Sequence, residues 1–106
     1  QFFFLLNVYF TPIMVTENGV ADPEMNLDDN TRVNQLLIAV ATIQKLEKDN
    51  IPIIGYCHWA LMDNYEWEHG KRIRFGLFKT DYQTFQLIPR KSAEYFKRIS
   101  DQIVSS

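Results

Sequence analysis

A chain of 106 residues holds enough material for one small domain, and 46% hydrophobic with 14% aromatic residues supplies either a substantial core or a surface on which flat rings stack. A formal net charge of −2 gives no electrostatic basis for binding nucleic acid or an anionic membrane, so neither is expected as a partner. The lone cysteine, Cys57, excludes an internal disulfide and a cysteine-rich metal site, and it suits a reducing compartment such as the cytoplasm.

The chain opens with Gln-Phe-Phe-Phe-Leu-Leu-Asn-Val-Tyr-Phe. This stretch lacks the positive start and small-residue cleavage site of a signal peptide, and it falls far short of the about 20 residues that span a bilayer. It is expected to be a core element whose preceding chain is missing. Pro12 then leads into Ile13, Met14 and Val15, and Asn18-Gly19 follows. A short apolar run between such signals predicts a strand buried on both faces, as in a parallel sheet. Glu17 stands at its C-terminal end, where α/β sheets and barrels collect catalytic groups. Taken alone, a solvated glutamate in a hairpin turn is the commoner meaning of so short a motif.

A polar loop runs from Val20 to Leu27 and contains Asp22-Pro23. Asp28 or Asp29 is placed to cap a helix. Val33, Leu36, Leu37, Val40, Ile43 and Leu46 recur at helical spacing and predict a one-faced amphipathic helix over Asn30 to Lys48. Asp49-Asn50 ends it, and Pro52 enforces the stop. Ile53 to Ala60 is a second run, apolar on both parities, and reads as a strand. Strand, helix and strand in this order make a βαβ unit with parallel strands. A polar-aromatic loop covers Leu61 to Arg74, a short strand is predicted over Phe75 to Asp81, and Tyr82 to Gln86 is a turn. Pro89 is expected to open a last helix, with Ala93, Phe96, Ile99 and Ile103 on one face and Lys91, Lys97 and Arg98 on the other. Two such βα units do not close a sheet, since a complete (β/α)₈ barrel takes about 250 residues. The organisation reads as the last quarter of something larger.

Residues 58–67, His-Trp-Ala-Leu-Met-Asp-Asn-Tyr-Glu-Trp, begin at the end of the second strand. With the two strands parallel neighbours, Glu17, Trp59, Glu66 and Trp67 are expected to converge at one rim. Indole faces stack on the C–H faces of pyranose rings, and carboxylates accept hydrogen bonds from sugar hydroxyls. For either tryptophan alone, core packing is the commoner role, and in that alternative Asp63 and Asn64 merely cap a turn. The four residues as a set, after two strand ends, favour a sugar site.

The motifs "VTENG", "HWALMDNYEW" and "RFGLFKTDYQT", in that order, resemble the C-terminal part of glycoside hydrolase family 1, a family of retaining β-glucosidases, β-galactosidases and related enzymes with a (β/α)₈ fold. The likeness runs from Pro12 to about Ile103. It implies that residues 1–106 are one segment, the C-terminal quarter of a TIM-barrel glycosidase domain, carrying strands seven and eight with their helices. It implies Glu17 as the catalytic nucleophile, which forms a covalent glycosyl-enzyme. It implies Trp59 as the platform under the sugar, with a cis peptide to Ala60. Glu66 is implied to grip the 4- and 6-hydroxyls, Trp67 to donate to the 3-hydroxyl, and Phe75 to line the glycone pocket. Ala60, Met62 and Tyr65 stand where Ser, Leu and Phe are common in the family, without consequence for the chemistry. Members that cleave 6-phosphosugars carry Ser at the Glu66 position, with Lys and Tyr at Ile73 and Phe75. Here an unphosphorylated β-glucoside or β-galactoside is the expected substrate.

Retaining hydrolysis needs a second carboxyl group, about 5–5.5 Å from the first, as acid and base. The family's Thr-x-Asn-Glu-Pro motif, which supplies it, does not occur in this sequence. The rest of the barrel is therefore an expected partner, and the chain alone is expected to be inactive. The alternative is an inactive carbohydrate-binding or interaction fragment in which Trp59, Trp67 and Phe75 bind and Glu17 is inert. His58 and His69 show no metal-ligand spacing, so no metal and no cofactor are expected.

Overall fold

The computed structural model of the protein describes residues 11–22 and 26–105. The apolar opening stretch lies outside them, together with the expectation that it is a core element. Strand β1 spans Ile13–Asn18, helix α1 spans Asn30–Lys48 and strand β2 spans Ile53–His58. The two strands pair in parallel, with Ile13 opposite Ile53, Val15 opposite Tyr56 and Asn18 opposite His58. This is the predicted βαβ unit, and α1 keeps the predicted bounds.

The end of α1 shows why. Asn50 takes a φ of 60°, its N–H donates to Glu47 O over 3.0 Å, and the Ile51 N–H donates to Leu46 O over 2.9 Å. Those bonds satisfy carbonyls that a helix end leaves open, and asparagine tolerates the left-handed conformation. Ile51 is buried behind the turn. Pro52 then accepts the Ile13 N–H at 2.8 Å, which ties the start of β1 to the start of β2.

The start of α1 corrects an expectation. Asp29 is the N-cap residue, yet its side chain makes no capping bond to its own helix. The carboxylate instead accepts the Ser92 N–H at 2.9 Å and the Ser92 hydroxyl at 2.6 Å, and it pairs with the buried Arg32 guanidinium. Ser92 lies in the first turn of helix α2, Lys91–Ser105. Asp29 thus supplies an anion to the N-terminal turn of the other helix, where unpaired N–H groups and the helix dipole favour it.

Strands β3, Phe78–Thr80, and β4, Leu87–Pro89, form an antiparallel hairpin. The strand predicted over 75–81 is shorter because the preceding backbone is bonded elsewhere. Leu77 N–H donates to Ala60 O and Phe78 N–H to Leu61 O, each over 2.9 Å. The last helix does not open at Pro89. Pro89 sits opposite Phe78 at the end of an edge strand, where a residue without an N–H is tolerated. Asp81 shapes the turn by accepting the Gln83 and Thr84 N–H groups, which hold its carboxyl below the ordinary range.

Burial of β1 and β2 on both faces is not met. Met14 is 50% and Ile54 68% exposed. Among the described residues no third strand joins this pair. The bottom of β2 faces a cleft between α1 and α2, lined by Val40, Ile43, Phe96 and Ile99. The predicted inner face of α2 holds for Ala93, Phe96 and Ile99, whereas Ile103 at the open end is exposed.

Candidate active site

The opposition of Asn18 and His58 brings the C-terminal ends of β1 and β2 level. Glu17 is next to last in β1 and exposed, and its carboxylate has no hydrogen bond or ion pair among the described residues. Trp59 follows β2 directly. Its N–H donates to the Asn18 carbonyl over 2.9 Å, which laces the two strand ends together. A Cβ at Gly19 would run into the Trp59 carbonyl oxygen, so only glycine lets the chain pass here.

The Trp59–Ala60 peptide is cis, as the resemblance implied. Ala60 N–H donates to Phe75 O over 3.1 Å, which sets half-buried Phe75 beside that bond. The Trp59 indole N–H points at Glu66 Oε1 at 3.4 Å. Glu66 is itself fixed by a tight turn, its N–H donating to Gly70 O over 2.8 Å. The structure therefore brings Trp59, Glu66 and the Phe75 backbone together beside the end of β1. Trp67 is 91% exposed and does not join them among the described residues.

Sequence reasoning missed what holds this loop. Asp63 is buried and forms a bidentate pair with buried Arg90, Oδ1 to Nη1 and Oδ2 to Nη2, each at 2.9 Å. Its oxygens also accept the Gly76 N–H at 3.0 Å and the Thr80 N–H at 3.3 Å. Arg90 Nη1 reaches Gly76 O as well, at 2.7 Å. A Cβ on Gly76 would collide with the Asp63 amide nitrogen, so the backbone closes tightly around the pair. Far from capping a turn, Asp63 joins the 59–67 loop to β3 and to the start of α2. Arg32 acts similarly: buried between Asp29 and the Arg74 carbonyl, which it meets at 2.7 Å, it ties both helix starts to the end of the loop. The sequence signal was weak. An acid in a quoted motif and an arginine next to a proline mark neither burial nor pairing.

His58 packs under this rim, its ring 6.0 Å from that of Phe96. Burial pushes its pKa down to about 4, the Arg32 charge pushes the same way, and Asp29 opposes. The folded protein thus holds a neutral imidazole where the unfolded chain, near 6.5, takes up a proton. This contribution to stability is fully present above pH 6.5 and is lost as pH falls through the interval down to about 4. The melting temperature is expected to fall as the pH is lowered from 7 to 4, and His58→Phe is expected to flatten that slope. An unchanged slope in the variant would refute the assignment. Among the described residues no group of three or more His, Cys, Asp or Glu side chains is placed to hold a metal ion.

A parallel βαβ unit with a carboxylate at one strand end and, after the other, an indole aimed at a second carboxylate has the layout of part of an α/β barrel rim. Comparison with known proteins names the family. The family model "Glycosyl hydrolase family 1" matches residues 2–103, and the chain belongs to that family. It is 35% identical over 97 residues to Beta-glucosidase 44 of Arabidopsis thaliana, covering 86% of this chain and 19% of that protein. It is 38% identical over 94 residues to a Beta-galactosidase of Sulfolobus acidocaldarius, covering 89% of this chain and 18% of that protein. Among solved structures it superposes on aphid myrosinase with a TM-score of 0.81 at 37% identity, covering 92% of this chain and 22% of that one. The chain thus spans about one fifth of the length of the relatives it matches, and its fold is part of a TIM barrel.

Proposed function

We propose that the chain carries the nucleophile half of a retaining β-glycosidase site, with β1 and β2 as strands seven and eight of the barrel. Residues 1–106 would form its C-terminal quarter as one segment. The observation that carries this reading is the joining of the strand ends, where the Trp59 N–H meets the Asn18 carbonyl directly after Glu17. It sets Glu17, whose carboxylate has no hydrogen bond or ion pair among the described residues, one residue before the strand end that meets Trp59, and the Trp59 indole is aimed at Glu66. The Glu17 carboxylate attacks the anomeric carbon as the bond from that carbon to the aglycone oxygen breaks. A glycosyl ester forms, and water later cleaves it. Trp59 supports the sugar ring, Glu66 accepts hydrogen bonds from its 4- and 6-hydroxyls, and Phe75 lines the pocket. Trp67, open to solvent, gains a partner when its indole N–H meets the 3-hydroxyl. A phosphorylated sugar is disfavoured because the Glu66 carboxylate would repel the phosphate and Ile73 cannot donate to it. β-Glucosides and β-galactosides fit equally, because the carboxylate accepts from either 4-hydroxyl epimer.

The acid that protonates the leaving oxygen comes from the remainder of the barrel. Without it the reaction loses on the order of 10²–10⁴ in rate, and the chain alone also loses the positioning a closed barrel supplies. The test is covalent trapping in the complete barrel with an activated 2-deoxy-2-fluoro-β-glucoside, whose fluorine slows breakdown of the glycosyl ester. Intact mass should rise by one fluoroglucosyl unit, and peptide mapping should place it on Glu17. A label on another carboxylate, or none in a preparation that turns over substrate, would sink the assignment.

A further inference from the structure

The pairing of β1 with β2 is irregular between Val15 and Asn18. Thr16 and Glu17 therefore leave the regular ladder just where direction matters most, and an irregularity of this kind re-aims a side chain without fixing it. What fixes the strand end lies one residue on. Gln35 Nε2 in α1 donates to Asn18 Oδ1, and Tyr56 Oη in β2 donates to the same oxygen over 3.0 Å. Two donors occupy both lone pairs of that oxygen. Behind Tyr56, His58 Nδ1 lies 3.4 Å from the hydroxyl. A neutral His58 protonated on Nδ1 donates to the tyrosine oxygen and leaves the hydroxyl proton for Asn18. Burial raises the Tyr56 hydroxyl above the ordinary phenol value, although its bond with Gln35 opposes this, so it remains a donor throughout the working range. The Asn18 carbonyl, on the main chain, takes the Trp59 N–H.

We propose that Gln35 and Tyr56 are positioning residues for Glu17: they clamp the Asn18 side chain and so set the direction in which Glu17 leaves β1. The catalytic part of this proposal rests on the reading of Glu17 as nucleophile. The clamp itself does not, and the two are tested separately. Tyr56→Phe removes the hydroxyl and keeps the ring, and Gln35→Met removes the donor at similar size.

Hydrogen exchange in the complete barrel reads the clamp directly. The Trp59 amide is expected to exchange about tenfold faster in either variant, while the Leu36 amide inside α1 is unchanged. In the complete barrel, kcat toward an aryl β-glucoside is expected to fall about 10- to 100-fold with KM within about twofold, the signature of a misplaced reacting group. Unchanged exchange at Trp59 overturns the clamp, and so does a joint rise at Trp59 and Leu36, which would make these residues general stabilisers. Unchanged kcat in both variants, with Glu17→Gln inactive, overturns the positioning role and leaves the nucleophile standing. An active Glu17→Gln overturns the nucleophile reading instead.

Discussion

Glu17→Gln in the complete barrel is expected to lower kcat for an aryl β-glucoside by about 10⁴-fold or more, the scale on which removing a nucleophile acts. The exchange replaces one carboxylate oxygen by an amide nitrogen at almost constant shape. The amide carries no charge and is a poor nucleophile toward an anomeric carbon, so the glycosyl ester does not form. On the proposed reading binding is made by other residues: Trp59 would offer its ring, and Glu66 is held by its own turn through the bond to Gly70 O at 2.8 Å. KM is therefore expected to stay level or fall. A matched Glu66→Gln variant should behave differently, because it loses charge-assisted hydrogen bonds worth about 1.5–3 kcal/mol each while the nucleophile remains. Its loss, about 10- to 150-fold, should fall on kcat/KM. Steady-state kinetics of the two variants side by side provide the check. A loss below tenfold in Glu17→Gln would mean that Glu17 is not the attacking group.

The two variants also mark how far the sequence could be read. β1, α1 and β2 were legible because each is written in local patterns: an apolar run, a helical repeat, and the stop of Asn50 and Pro52. The placement of Glu17 and Trp59 at strand ends followed from those patterns alone. β4 was not legible, since Leu87–Pro89 is three residues long and pairs only through a turn. The exposure of Met14 and Ile54 was not legible either, because an apolar strand pattern says what a strand can bury and not which neighbours stand beside it. Asp29 shows the same limit. Its position announced an N-cap, and it does serve a helix start, but that helix lies 63 residues away in the chain, at Ser92. The rim was partly legible. Trp59, Glu66 and the Phe75 backbone come together, and Trp67 is exposed, since nothing in the spacing of Glu66 and Trp67 fixes which way the second indole turns.

Asp63→Asn and Arg90→Met are each expected to destabilise the protein by about 3–5 kcal/mol, because each leaves the partner's charge buried without compensation. Asp63 and Arg90 are 3% and 2% exposed, so water cannot take the missing partner's place without opening the loop. The double variant is expected to lose less than the sum of the two, since neither charge then remains. It should not return to the starting stability. Asp63 also accepts the Gly76 and Thr80 N–H groups, and Arg90 also serves the Gly76 carbonyl, so backbone groups stay affected after both charges are gone. Urea denaturation of the four proteins as a double-mutant cycle measures the coupling, and strictly additive losses would show that the pair does not act as one unit. The pair also bears on the site. Asp63 lies between Trp59 and Glu66 in the chain, and Gly76 follows Phe75, so the same pair that buries two charges ties the loop carrying Trp59 and Glu66 to the backbone next to Phe75. Loss of the pair should therefore lower sugar binding at temperatures where the variant is still folded, a consequence that a residue supporting stability elsewhere in the fold would not have.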